Sequence, residues 1–232
     1  MIANFDKDGA LIGPKIKTST EIEKEEINEL NEQNKIRKNR NYNKINLNEF
    51  QKNKYEEAKQ INFDKQIWCT DKTDSLNIGL KIIENLINLK KTDMFTIICS
   101  ENKIEDWTES LINLGFPKNE ILIKPRKGRL DKGLESYSDD EKYHYLDKND
   151  WAKKQIIIDS YDGTRRIIVD EIRDHKFEVI VTKKKNTAIF NLFSRDVLIF
   201  DDFSKINTPL GKIMLDISKS FNSKIIKLYH IC

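Results

Sequence analysis

From Ile45 to the C-terminus, short apolar runs of strand length alternate with longer stretches of helical periodicity, and this alternation restricts the fold more than any other feature. The pattern predicts a helix over Leu47–Ile61, a strand over Gln66–Cys69 and a helix over Ser75–Lys90, with Leu76, Leu80, Ile83, Leu86 and Ile87 on one face. Met94–Cys99 is a continuous apolar run, as a strand buried on both faces requires. A helix over Lys103–Leu114 stops at Gly115 and Pro117. Further strand-like runs are Glu120–Ile123, Gln155–Asp159, Phe177–Thr182, Asp196–Phe200 and Lys224–Leu228, with helical stretches near Arg165–Arg173 and Leu210–Ser220. Strands alternating with helices predict a three-layer α/β domain, a mainly parallel sheet with helices on both faces. In such sheets ligands sit beyond the carboxyl ends of the strands.

Two regions fall outside the alternation. Residues 1–44 read as a polar N-terminal arm, because Lys15–Lys44 mixes charges of both signs with Asn and offers few large apolar residues to offset the entropy of ordering. A short helix around Glu21–Asn34 fits the Glu and Lys spacing, and a nucleic-acid-binding arm is the functional alternative to a solvated one. Arg126–Asp150 is polar and free of aliphatic periodicity, an inserted loop within a domain spanning residues 45–232.

Composition excludes several classes. A chain of 232 residues can bury roughly 70% of its unfolded surface without a disulfide or metal staple. With 38% hydrophobic residues, 8 Gly and 4 Pro, it is neither collagenous nor a low-complexity polymer. The balance of 41 Lys and Arg against 38 Asp and Glu, net +3, argues against a wholesale polyanion binder and leaves room for a local basic groove. Cys69, Cys99 and Cys232 are odd in number and far apart, which fits a reducing compartment, and His144, His175 and His230 lack the Cys or carboxylate neighbours of a metal site. No signal-peptide stretch and no run of about 18 apolar residues is present, so the expectation is a soluble intracellular protein, cytoplasmic or nuclear, with no membrane partner and with a virus among its conceivable sources.

Two segments carry candidate chemistry. In VLIFDDFSKINTPLGK, Val197–Lys212, four apolar residues deliver Asp201 and Asp202 to the carboxyl edge of the sheet. Such a pair can hold Mg²⁺ and orient a water for phosphoryl transfer, although Asp-Asp after a strand is more often turn and N-cap chemistry. In QIWCTDKTDS, Gln66–Ser75, Lys72 and Thr73 occupy the last two places of the phosphate-loop pattern G-x-x-x-x-G-K-[ST]. Gln66 and Asp71 stand where its glycines belong; a side chain at either obstructs a backbone cradle, and Asp71 adds a negative charge beside the phosphates.

In their order and spacing these segments resemble the first RecA-like lobe of superfamily-two helicases, most closely the Swi/Snf-type DNA translocases. LNEFQ resembles the family's entry segment, with Gln51 at the adenine-reading place, and DKTDSLNIGLKIIENLINL resembles the phosphate loop and its helix. MFTIICSENKIEDWTESLINLGF resembles the next strand and helix, with Trp107 and Glu109 in register and Ser100 in place of a proline. QIIIDSYDGTRRIIVDEIRDHKFEVIVTKKK resembles the strand, glycine turn, helix and strand that lead to a DNA-contacting threonine, here Thr182. DDFSKINTPLGK lies over the pattern D-E-A-H-x-I-K-N-P-x-x-K, with Asp201, Ile206, Pro209 and Lys212 in register. The resemblance therefore implies a RecA-like fold, ATP and Mg²⁺ as cofactors, Asp201 and Thr73 as metal ligands, and Asp201 and Asp202 as catalytic residues, with Gln51, Lys72 and Thr73 binding the nucleotide.

The departures imply impaired catalysis. Asp202 is one methylene shorter than the family's glutamate, and Phe203 and Ser204 replace the small residue and histidine that couple ATP to DNA movement. The chain ends at Cys232 before the family's second lobe with its arginine finger, a group worth 10³–10⁵ in rate. The expectation is a helicase-derived pseudo-ATPase that binds nucleic acid, DNA ahead of RNA, or a nucleic-acid-processing partner. Candidate contacts are Arg165, Arg166, Thr182, Lys183 and Lys184, with Lys185 and the group Lys124, Arg126, Lys127 and Arg129 also following strand ends. The alternatives are an active lobe completed by a partner chain, and a scaffold subunit of a larger assembly. Trp68 and Trp151 fit buried packing better than interface anchoring.

Overall fold

The computed structural model describes residues 24, 28, 31–33, 35–37, 39–60, 66–69, 72–89, 92, 94–123, 154–168, 192–202 and 208–230. The chain divides into two units, Met1–Arg40 and Asn41–Cys232. In the first, Lys24, Asn28, 31–33 and 35–37 are helical; the described residues of the helix expected near Glu21–Asn34 are among them.

The second unit is α/β. Its elements are α1 (Glu49–Gln60), β1 (Gln66–Cys69), α2 (Lys72–Asn88), β2 (Phe95–Cys99), α3 (Ile104–Leu114), β3 (Ile121–Ile123), β4 (Ile156–Ser160), α4 (161–168), β5 (Val197–Asp201), α5 (Pro209–Ser220) and β6 (Lys224–His230). The six strands form one sheet in the order β1-β6-β5-β2-β4-β3. Every pairing is parallel, with Phe95 opposite both Ile156 and Val197, and Gln66 opposite Lys227. The strand expected at Phe177–Thr182 and the insertion at 126–150 lie outside the described residues.

The period of two along each strand sorts side chains into two cores. Phe95, Ile97, Cys99, Ile156, Ile158, Val197, Ile199, Ile226 and Leu228 meet Tyr55 and Ala58 of α1, Ile78, Ile82 and Ile83 of α2, and Trp107, Leu111 and Leu114 of α3. Ile98, Ile157, Leu198, Phe200 and Tyr229 meet Ile167 and Ile168 of α4, Leu192 and Phe193, and Met214 and Ile217 of α5. Three layers result, as the alternation predicts. The all-apolar runs are explained by this double burial: every residue of β2, β4 and β5 is buried.

Three expectations are corrected. The helix after β1 begins at Lys72 rather than Ser75, because polar Lys72–Asp74 form its first turn ahead of the apolar face. No glycine turn separates β4 from α4: the helix starts directly after Ser160, and Gly163 lies within its first turn. Trp68, expected in the core, is 45% exposed on edge strand β1, where it stacks on Tyr229 with ring centroids 4.7 Å apart. Trp151 lies outside the described residues. Among those residues no helix is long and apolar enough to cross a membrane.

Candidate functional site

The connections locate the site. The chain leaves β2 through α3, on the first core's face, and leaves β5 through α5, on the second's. Strands β2 and β5 are neighbours, so their crossover helices diverge to opposite faces and open a crevice beyond their carboxyl ends. A parallel sheet binds its ligands at such a switch point. Asp201 and Asp202 end one of these strands, and Ser100–Lys103 follow the other.

Asp201 is fully buried, and alternation along β5 turns its carboxylate toward α2 and α3. Its Oδ2 accepts hydrogen bonds from the Lys103 ammonium at 2.9 Å and from the Trp107 indole N–H at 2.9 Å. The same ammonium donates to Ser75 Oγ of α2 at 3.0 Å. Lys103 and Ser75 are only 3% and 0% exposed, so a carboxylate, an ammonium, a hydroxyl and an indole from four chain segments form one buried cluster. Lys103 reaches it because the single turn Glu101–Lys103 reverses the chain after β2, closed by Lys103 N–H to the Ser100 carbonyl. The Tyr161 hydroxyl, on the first residue of α4, donates to the Asp201 carbonyl at 2.8 Å.

Asp202 behaves differently. Its backbone has φ 66°, the left-handed region that costs a non-glycine residue free energy unless its surroundings hold it there. Its Oδ2 accepts from the Ser100 hydroxyl at 3.3 Å. The two adjacent carboxylates thus part, one into the buried cluster and the other toward the crevice rim. Burial, then the Asp201 and Asp202 charges, push the Tyr161 phenol well above its ordinary value. Burial, then Asp201, push up the Cys99 thiol, with Lys103 acting in the opposite sense.

The other predicted positions separate into groups. Gln51 is 3% exposed and forms a reciprocal cap with Asn48, whose side chain takes the Gln51 N–H while Gln51 Oε1 takes the Asn48 N–H. Its amide nitrogen donates to Asp74 of α2 at 2.9 Å, so the entry helix is bonded to the helix after β1. Lys72 is the first residue of α2 and Thr73 the second, exposed; Ser75, not Thr73, is the hydroxyl joined through Lys103 to Asp201. Arg165 and Arg166 are exposed on α4, which follows β4 at the same carboxyl edge. Thr182, Lys183 and Lys184 lie outside the described residues, as do Phe203 and Ser204.

Sequence reasoning missed Lys103 and Ser75. A signal was present: Lys103, Trp107, Leu111 and Leu114 fall at helical spacing on one stripe, and a lysine on an apolar stripe requires a buried partner.

These residues suit neither Mg²⁺ nor a phosphate cradle. Four places of the phosphate-loop pattern, Gln66–Cys69, are strand paired to β6, and two residues join Cys69 to Lys72. A Mg²⁺ ion about 2.1 Å from Asp201 Oδ2 would lie within about 5 Å of the ammonium, a repulsion on the order of 6 kcal/mol at an effective dielectric of about 20. Among the described residues no group of three or more His, Cys, Asp or Glu is placed to hold a metal. No family model matches the chain, and no curated protein matches its sequence.

Proposed function

We propose that this chain is a RecA-like lobe derived from superfamily-two helicases of the Swi/Snf type, with impaired or absent ATP hydrolysis, and that it acts by binding nucleic acid, DNA ahead of RNA. One observation carries the reading. The segment after β1 and the acidic pair ending β5, which the resemblance pairs in ATP chemistry, converge at one carboxyl edge, yet the first carboxylate is neutralised by Lys103. The exposed Arg165 and Arg166 on α4 supply cations at that edge without any demand on the altered loop.

The test is anisotropy of labelled DNA and RNA over a range of salt, beside calorimetry with Mg-ATP. Binding is expected to weaken linearly in log salt, and Arg165→Ala with Arg166→Ala to lower the slope by about one per lost phosphate contact. Mg-ATP is expected to give no binding heat. Micromolar Mg-ATP binding that disappears in Lys72→Ala would overturn the pseudo-ATPase reading in favour of a lobe completed by a partner chain. Absence of nucleic-acid binding at low salt would overturn the rest.

A further inference from the structure

We infer that the Lys103 ammonium takes the place of a divalent cation in this site, a cation supplied by the chain itself, so that α2 is tied to the end of β5 without metal. The choice of Mg²⁺ as the ion replaced rests on the proposed helicase kinship; the geometry does not.

A divalent ion bridging these segments would take a carboxylate oxygen from the strand end and a hydroxyl oxygen from the helix after β1. Those two oxygens, Asp201 Oδ2 and Ser75 Oγ, stand 2.9 Å and 3.0 Å from one nitrogen, Lys103 Nζ. An ammonium has three donors and no acceptor, so like a metal ion it gathers oxygens around a positive centre. The Trp107 indole N–H supplies the next donor to Asp201 Oδ2. Lysine is among the residues least often buried, yet Lys103 is 3% exposed, which requires that its charge be answered inside, and the Asp201 carboxylate answers it. A metal ion binds and leaves, whereas this cation is covalently part of the chain. The link between α2 and β5 therefore needs no metal and is insensitive to chelators.

An ordinary structural ion pair would share these distances, and removal of the lysine separates the two ideas. Only a cation site gains metal when its tethered cation is deleted. The probe is Mn²⁺ alone, read as paramagnetic broadening of the Trp107 indole N–H resonance in the ¹⁵N-labelled full chain, assigned with Trp107→Phe. In the wild type that resonance is expected to stay sharp at millimolar Mn²⁺ and the melting temperature to be the same in Mn²⁺ and chelator. In Lys103→Ala the resonance is expected to broaden at the same millimolar Mn²⁺ that leaves the wild type sharp, with Mg²⁺ competing, and the melting temperature to rise with Mn²⁺. Lys103→Arg, which keeps a cation, is expected to stay sharp. Broadening in the wild type overturns the inference, as does a folded Lys103→Ala whose resonance stays sharp. A Lys103→Ala chain unfolded in chelator must be recovered by Mn²⁺, and lack of recovery overturns it equally. Neither nucleotide nor nucleic acid enters this readout, so it fails or stands apart from the DNA and ATP titrations.

Discussion

Gly79 sits in the middle of α2, where glycine ordinarily weakens a helix by roughly 0.5–1 kcal/mol relative to alanine, and Trp107 is the reason it is there. A Cβ at Gly79 would lie 2.5 Å from Trp107 Cη2 and 3.2 Å from its Cζ2, both on the outer ring of an indole that is fully buried. The missing side chain lets the ring lie flush on α2 while its N–H reaches Asp201. Gly79→Ala is expected to destabilise by about 1–3 kcal/mol through overpacking, and Trp107→Phe by a similar amount through the lost donor and volume. In the double variant the alanine meets no outer ring, so the two costs should fall short of additive. Urea midpoints of the four chains measure that coupling, and strict additivity would show that the ring and the glycine are independent. At this scale the sequence was only partly legible. Trp107 stood out by its register in the helicase resemblance, but its hydrogen-bond partner lies 94 positions away, and no local pattern encodes that distance.

Elements were far more legible, because hydrophobic period is a local property. All six described strands fall within a residue or two of their expected positions, and the continuous run at Met94–Cys99 reported a strand covered on both faces. Helix ends were less so, since they are set by caps and not by the apolar stripe. Asp159 illustrates this: its Oδ1 accepts from Ser160 N–H and its Oδ2 from the Thr164 hydroxyl, while Ser160 Oγ accepts from Gly163 N–H, which starts α4 at once after β4. A Cβ at Gly163 would collide with Asp159 Oδ1, so this glycine serves close approach and not a turn. Helix α5 is capped more simply: Thr208 Oγ1 accepts from Gly211 N–H at 3.1 Å, and Pro209 fills the first position, where no N–H is needed. Thr208→Ala is expected to cost about 1 kcal/mol, with Thr208→Ser restoring most of it. Thermal denaturation of the three chains checks this, and equal melting points would remove the cap from the account of α5.

Across the whole molecule, the proton balance ties both cores to pH. Burial, then Asp201, raises the Cys99 thiol of the first core, and burial, then Asp201 and Asp202, raises the Tyr161 phenol beside the second. Tyr55 on α1 is pushed up to about 12 by burial, then by Glu56 and Glu84. Each group keeps its proton in the folded chain at a pH where the unfolded chain releases it. The stability each contributes is therefore complete below the unfolded value, about 8.5 for a thiol and about 10 for a phenol, and is lost as pH rises toward the folded value. For Cys99 and Tyr161 the loss approaches about 1.4 kcal/mol per pH unit each once that window is entered. Urea midpoints measured from neutral to strongly alkaline pH should accordingly stay level, decline past the thiol range and fall more steeply past the phenol range. Cys99→Ala should remove the early decline. Tyr161→Phe loses the bond to the Asp201 carbonyl and so begins from a lower midpoint, but its alkaline slope should be shallower. Because the Asp201 carboxylate raises both groups from its place between the layers, a midpoint that stays level through the phenol range would mean that these side chains ionise inside the fold, and that the β5 end is open to water rather than sealed around the Lys103 pair.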